Sequence, residues 1–145
     1  MRFIWKGSDF EDMGKEHKYN VFYTPEKWER VNKVNKAIMD DYMQECKQRQ
    51  MKDSTLKQYK NDWRIVMIKI MEMFDNKSIL ELSKKNWRKL SLYFKESCEH
   101  SNARVNRLMS ATRSMLAYCE DDDEDYDDYM INTASKVKGL GKEKV

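Results

Sequence analysis

Two stretches of this chain put hydroxyls and cations where helices are expected to begin. The first is Ser101-Asn-Ala-Arg104-Val-Asn106-Arg107-Leu-Met-Ser110-Ala-Thr-Arg113. With Val105, Leu108 and Thr112 facing a core, the helical period turns Arg104, Arg107 and Ser110 or Ala111 outward. A guanidinium is a planar fork of donors that suits phosphate oxygens or the major-groove edge of guanine. A helix N-terminus adds partial positive charge beside it. The second stretch, Lys52-Asp-Ser54-Thr55-Leu-Lys57-Gln58-Tyr-Lys60, repeats the arrangement. Lys52, Ser54, Thr55, Lys57, Gln58, Lys60, Ser101, Arg104 and Arg107 are therefore candidate DNA-contacting residues. One basic helix start is usually a solvated face; two are harder to dismiss.

Other chemistry finds little to build on. His17 and His100 are far apart, and there is no H-E-x-x-H, no zinc-like Cys and His spacing, no Gly-rich phosphate loop and no G-x-S-x-G. The acids between Glu120 and Asp128 suggest calcium, but an EF-hand loop needs alternate acids, a Gly at the turn and a closing Glu, and Asp121 to Asp128 contains no Gly. The reading is a non-enzymatic chain with no cofactor, no metal and no small-molecule substrate.

Charge distribution supports the polyanion reading. The 145 residues carry 28 Lys or Arg and 25 Asp or Glu, for a net +3. Eight of those acids fall within residues 120–128; without them 17 acids face 28 bases, a balance of +11. A basic body with its compensating charge in one stretch fits a nucleic-acid binder. The acid run reads as a solvated, self-repelling loop turned away from DNA. Cys46, Cys98 and Cys119 are read as reduced, buried thiols of a cytosolic protein. No apolar run reaches the roughly 20 residues that a membrane helix needs, and the Met-Arg-Phe-Ile-Trp-Lys start is charged too early for a signal peptide. A soluble, unexported protein with no membrane partner is expected.

One Pro and four Gly argue for helices over a turn-rich β fold. Residues 1–23 lack a sustained period and read as an extended arm. Thr24-Pro25 starts a helix whose stripe is Trp28, Val31, Val34 or Asn35, Ile38, Tyr42 and Cys46, and Asn32 and Asn35 divide it into a short helix and one ending near Gln50. Asp53 or Ser54 caps the next, with Leu56, Tyr59, Trp63, Val66, Ile70 and Phe74 inward, to about Asp75. Ser83 caps a helix with stripe Trp87, Leu90, Phe94 and Cys98. Ser101 or Asn102 caps another, with Val105, Leu108, Thr112, Met115, Leu116 and Cys119 inward. Tyr129 to Lys138 reads as a short last helix.

Four passages in register, Thr55-x-x-x-Tyr59 with Trp63, Leu80-Glu-Leu82-Ser-Lys-Lys-Asn-Trp87, Asn106-Arg107-Leu108-x-x-Ala111-x-Arg113-x-x-Leu116 and Ile131-Asn132-x-Ala134-x-Lys136-Val137, resemble the core-binding domain of phage integrases, the tyrosine recombinase family. Thr24 to Gln44 is similar to the segment before it in integrases of phages and mobile elements of low-GC bacteria. The resemblance covers about residues 33–140. It implies an all-α, compact four- to five-helix SAM-like bundle, with helix starts at Ser54 to Gln58 and Ser101 to Arg107 approaching the major groove, and it adds Lys136 and Lys138 to the candidate DNA-binding set. Thr133 stands where many members have Pro, and the acid run is unusually long. The family's catalytic Arg, Lys, His-x-x-Arg and Tyr pattern is absent.

The expected organisation is an arm at 1–23, a DNA-binding domain at 24–138 and a basic linker at 139–145 towards a catalytic domain that the sequence lacks. The expected function is the non-catalytic part of a site-specific recombinase, with double-stranded DNA and other recombinase protomers as partners, in the cytoplasm of a bacterial or phage-infected cell. Two alternatives stay open: a recombinase-derived repressor or accessory factor, and a helical protein-interaction module with a basic face.

Overall fold

The computed structural model describes residues 22–121, 133–137 and 139–141, and every regular element among them is helical. The α-helices are α1 (Pro25–Arg30), α2 (Lys33–Gln48), α3 (Asp53–Met73), α4 (Lys84–Leu92, running on into a π turn, Tyr93–Ser97) and α5 (Asn102–Asp121). Short 3-10 turns form at Ile79–Glu81 and Thr133–Lys136. The all-α class is as the sequence implies.

Local chemistry sets most boundaries. Thr24 Oγ1 accepts the Lys27 N–H at 3.1 Å, with Pro25 at the first helical position. Val31 ends the short helix, and Asn32 caps the next by accepting the Val34 N–H at 2.8 Å. Ser83 and Asn86 form a reciprocal capping box. Ser101 Oγ accepts the Arg104 N–H at 3.1 Å, which makes Ser101 the cap of α5. One expected cap is corrected: Lys52, in extended backbone, occupies the N-cap of α3 with no side-chain capping bond, so neither Asp53 nor Ser54 serves.

Three asparagines stitch the helix junction before α2 to the loop after α3. Asn32 donates its backbone N–H to Asn76 Oδ1 (2.8 Å) and its Nδ2 to the Asn76 carbonyl (2.9 Å), while Asn76 Nδ2 donates to the Arg30 carbonyl (2.9 Å). Asn35 donates to the Lys77 carbonyl (3.0 Å) and accepts the Ile79 N–H (2.8 Å). Of the two inward candidates in α2, Asn35 is therefore the buried one and Val34 is 48% exposed. The loop turns through left-handed backbone at Asp75 and Asn76, residue types that tolerate it.

α3 is the central helix. Beyond its first turns it is buried on every side, from Ile65 through Ile70, where the sequence suggested a single stripe. It packs against α1, α2 and α5. Trp63, fully buried, donates its indole N–H to the Ala111 carbonyl of α5 at 3.0 Å. Lys69 is buried too: its ammonium meets Glu72 at 2.7 Å and lies 4.8 Å over the Phe22 ring. Burial alone would raise the Glu72 carboxyl, but Lys69 and Lys27 hold it below the usual range. Phe22, placed in the arm by sequence, is a core residue against Phe94 and His100.

The segment after α5 returns along that helix. Arg113 donates to the Ala134 and Val137 carbonyls, Asn106 exchanges both bonds with the Leu140 backbone at 2.8 Å each, and Asn102 donates to the Gly141 carbonyl. Residues 139–141, expected in a linker, are thus docked. Thr133 accepts the Trp87 indole N–H (2.9 Å) and donates to the Leu82 carbonyl (2.6 Å), a hydroxyl role that Pro cannot fill. The three cysteines are buried and unbridged, as expected. Residues 1–21, most of the acid run and half of the expected last helix, Tyr129 to Lys138, lie outside the described residues; the described part of that helix is a 3-10 turn, Thr133–Lys136.

Trp63→Ala removes a buried indole and its bond to the Ala111 carbonyl, so it should cost about 3–5 kcal/mol. Urea unfolding followed by circular dichroism measures this; an unchanged midpoint would contradict the core assignment.

Candidate nucleic-acid interface

The first turns of α3 and α5, far apart in sequence, form opposite walls of one open cleft of ≈ 350 Å³. Ser54, Lys57, Gln58, Asn61 and Asp62 line it from α3, and Arg104 and Arg107 from α5. Five of the predicted residues are therefore brought together: Ser54, Lys57, Gln58, Arg104 and Arg107. Because Ser54 is not needed as a cap, its hydroxyl is available at the cleft wall.

The organising group is Asp62, which is 1% exposed. Its Oδ1 lies 3.3 Å from Arg104 Nη1 and its Oδ2 lies 3.5 Å from Arg107 Nε. With its amide oxygen turned to the guanidinium, the orientation that satisfies both groups, Gln58 accepts from Arg107 Nε (3.0 Å) and Nη1 (3.1 Å). Burial pushes the Asp62 carboxyl above its ordinary range, and Arg107 opposes that shift. Three cations face one carboxylate, leaving the cleft net positive.

Two expectations are corrected here. Arg104 and Arg107 are not a matched, solvent-facing pair: the Arg104 side chain is only 15% exposed against 45% for Arg107. Nor does Ser101 join the other candidates, since its hydroxyl is occupied in capping α5 and it does not line the cleft. Lys52 and Lys60 are exposed and Thr55 half-buried, all outside the cleft wall. Lys136 ends the 3-10 turn that packs on α4 and α5, but its side chain is not among those described, and Lys138 lies outside the described residues. Sequence reasoning missed Asn61 and Asp62. The available signal was Asp62 itself, a carboxylate one turn after Gln58 and adjacent to the core Trp63.

Among the described residues no His, Cys, Asp and Glu cluster could hold a metal ion, and no helix is long and apolar enough to cross a membrane. No protein-family model, curated protein or solved structure matches the chain.

The buried carboxylate makes stability depend on pH in a defined direction. A carboxyl whose folded pKa is raised favours folding below its unfolded value, about 3.9, and loses that contribution as pH rises through the folded value. Asp62→Asn should abolish this component in urea midpoints taken from pH 4 to 7; an unchanged pH profile would contradict it. Arg104→Ala leaves the buried Asp62 with Arg107 as its remaining cation and should cost about 1–3 kcal/mol. Part of that loss should return in the Arg104→Ala/Asp62→Asn double variant. Independent, additive effects would show that the two groups do not interact.

Proposed function

We propose that this chain binds double-stranded DNA through the α3–α5 cleft, as the non-catalytic core-binding module of a phage-type integrase or a DNA-binding factor derived from one. The observation that carries the reading is the meeting of Lys57, Arg104 and Arg107 on the two walls of one net-positive cleft. These cations come from the two stretches whose residue types already suited phosphate and guanine. The +11 balance outside the acid run supplies long-range attraction, and the exposed Lys52 and Lys60 beside the cleft add further phosphate contacts. Asp62 and Gln58 hold Arg107 in a fixed orientation before DNA arrives, which lowers the entropy lost on binding. In this reading DNA contacts position the module and limited base readout comes from Arg107, Gln58 and Ser54. No bond is made or broken by the module; chemistry belongs to a separate catalytic domain.

One observation favours a second reading. Lys84, Lys85, Arg88 and Lys89 are all exposed on α4, and none forms an ion pair among the described residues. Such a face suits an acidic protein as well as a polyanion.

Fluorescence anisotropy of an unrelated labelled duplex across a salt series tests the main reading. Neutralising roughly four to six phosphates gives a slope of log K against log salt of about −4 to −5. Arg107→Gln should weaken binding and bring the slope closer to zero by about 1. Binding that ignores salt, or no binding at low salt, would refute the proposal.

A further inference from the structure

The outward ridge of α3 continues past the cleft as Lys57, Asn61 and Arg64, which follow one another at helical steps of four and three. Lys57 and Asn61 line the cleft, and Asn61 also lines a smaller cavity of ≈ 180 Å³ whose remaining walls are Tyr23, Arg64 and Ile65. The two spaces share a wall. The Arg64 guanidinium packs 4.6 Å over the Tyr23 ring, covering that face itself, and lies 5.7 Å from the Trp28 ring. Lys36 Nζ is 5.4 Å from the centroid of the same Trp28 ring. Neither cation forms an ion pair among the described residues. Arg64 makes no hydrogen bond among them either, and of its three nitrogens only Nε is buried, which leaves the outer edge of the guanidinium open to solvent.

The contrast with the cleft arginines lies in what their donors already do. Arg104 and Arg107 direct donors at Asp62, and Arg107 directs two at Gln58. Arg64 is held by stacking, which fixes a planar fork while its N–H groups keep no acceptor. Such a group gains most from an oxyanion. The cavity walls carry no carboxylate, and Tyr23 and Asn61 add a hydroxyl and an amide that can donate. An apolar ligand would leave these donors unpaired, whereas a phosphate can accept from each of them. Its four oxygens, each comparable to a water at ~30 Å³, also fit the space.

We propose that Arg64 is a phosphate-binding residue of the DNA interface, meeting a backbone phosphate of the strand that leaves the cleft at Lys57. The rings of Tyr23 and Trp28 position the guanidinium. Seven residues of helix rise separate Lys57 from Arg64, about 10 Å, so the two serve different phosphates and the footprint lengthens along α3. The proposal rests on the DNA-binding reading above and extends it to a residue outside the cleft.

The test uses the full chain and a 16-bp duplex, with anisotropy recorded across a salt series. Arg64→Gln should weaken binding on the order of tenfold at low salt, the scale of one hydrogen-bonded contact to a charged group. It should also bring the slope of log K against log salt closer to zero by about 1. Lys85→Gln removes a cation from the exposed face of α4 and should leave that slope unchanged, which separates a phosphate contact from a loss of net charge. Tyr23→Leu keeps the Arg64 charge but removes the ring beneath it, so it should weaken binding by itself and add little in the Arg64→Gln background. Circular dichroism checks that each variant folds. A slope that responds to Arg107→Gln but not to Arg64→Gln would overturn this proposal alone, as would equal losses from Arg64→Gln and Lys85→Gln or additive effects of Tyr23→Leu and Arg64→Gln. Wild type that binds no duplex at low salt would overturn the DNA-binding reading, and this proposal with it.

Discussion

Asp62 is a carboxylate buried in the seam between α3 and α5, and the character of the interface follows from what that burial requires. Removing a carboxylate from water costs on the order of several kcal/mol, and a protein tolerates it only when opposite charge is held close. Arg104 and Arg107 supply that charge across the helix pair, from 42 and 45 positions along the chain. The next residue, Trp63, ties the same two helices by its bond to the Ala111 carbonyl. One turn of α3 therefore delivers both the core anchor and the electrostatic one. Because the carboxylate fixes them, the arginines are set in orientation, and Arg107 remains 45% exposed at the cleft mouth.

The rest of the bundle keeps that turn in register. α3 is enclosed by α1, α2 and α5, and the asparagine stitch at Asn32, Asn35 and Asn76 closes the end where the chain leaves it. At the other side of α5, Asn102, Asn106 and Arg113 draw the returning segment onto the helix through backbone groups. These bonds satisfy polar groups that would otherwise be left unpaired near the core. They also leave the cleft wall of α5 uncovered, since Asn102, Asn106 and Arg113 hold the segment elsewhere than on Arg104 and Arg107.

Much of this architecture was legible in the sequence because helix starts are marked by local chemistry. Thr24-Pro25, Ser83 and Ser101 each act within three or four residues of themselves, so their roles are written in a short window. Lys52-Asp53-Ser54 was misread because two good capping residues sit side by side there, and the helix starts from Lys52, ahead of both. The periodicity allowed Val34 or Asn35 inside; the choice fell to Asn35 because a loop carbonyl and an N–H more than 40 residues away needed partners. The same distance hid Asp62. A helical wheel turns Arg104 outward, and only the packing of α3 on α5 brings a carboxylate to it. The five cleft residues were found from types and spacing, whereas their orientation depends on a tertiary contact that no local pattern encodes.

The central claim is that the α3–α5 cleft, and not the basic face of α4, meets DNA. Amide chemical shifts in nitrogen-15 correlation spectra, recorded while a 16-bp duplex is added at low salt, address it residue by residue. The account predicts the largest changes at Ser54 to Arg64 and at Arg104 to Arg107, with Lys84 to Lys89 little affected. Changes concentrated on Lys84 to Lys89, with the cleft amides unmoved, would contradict it.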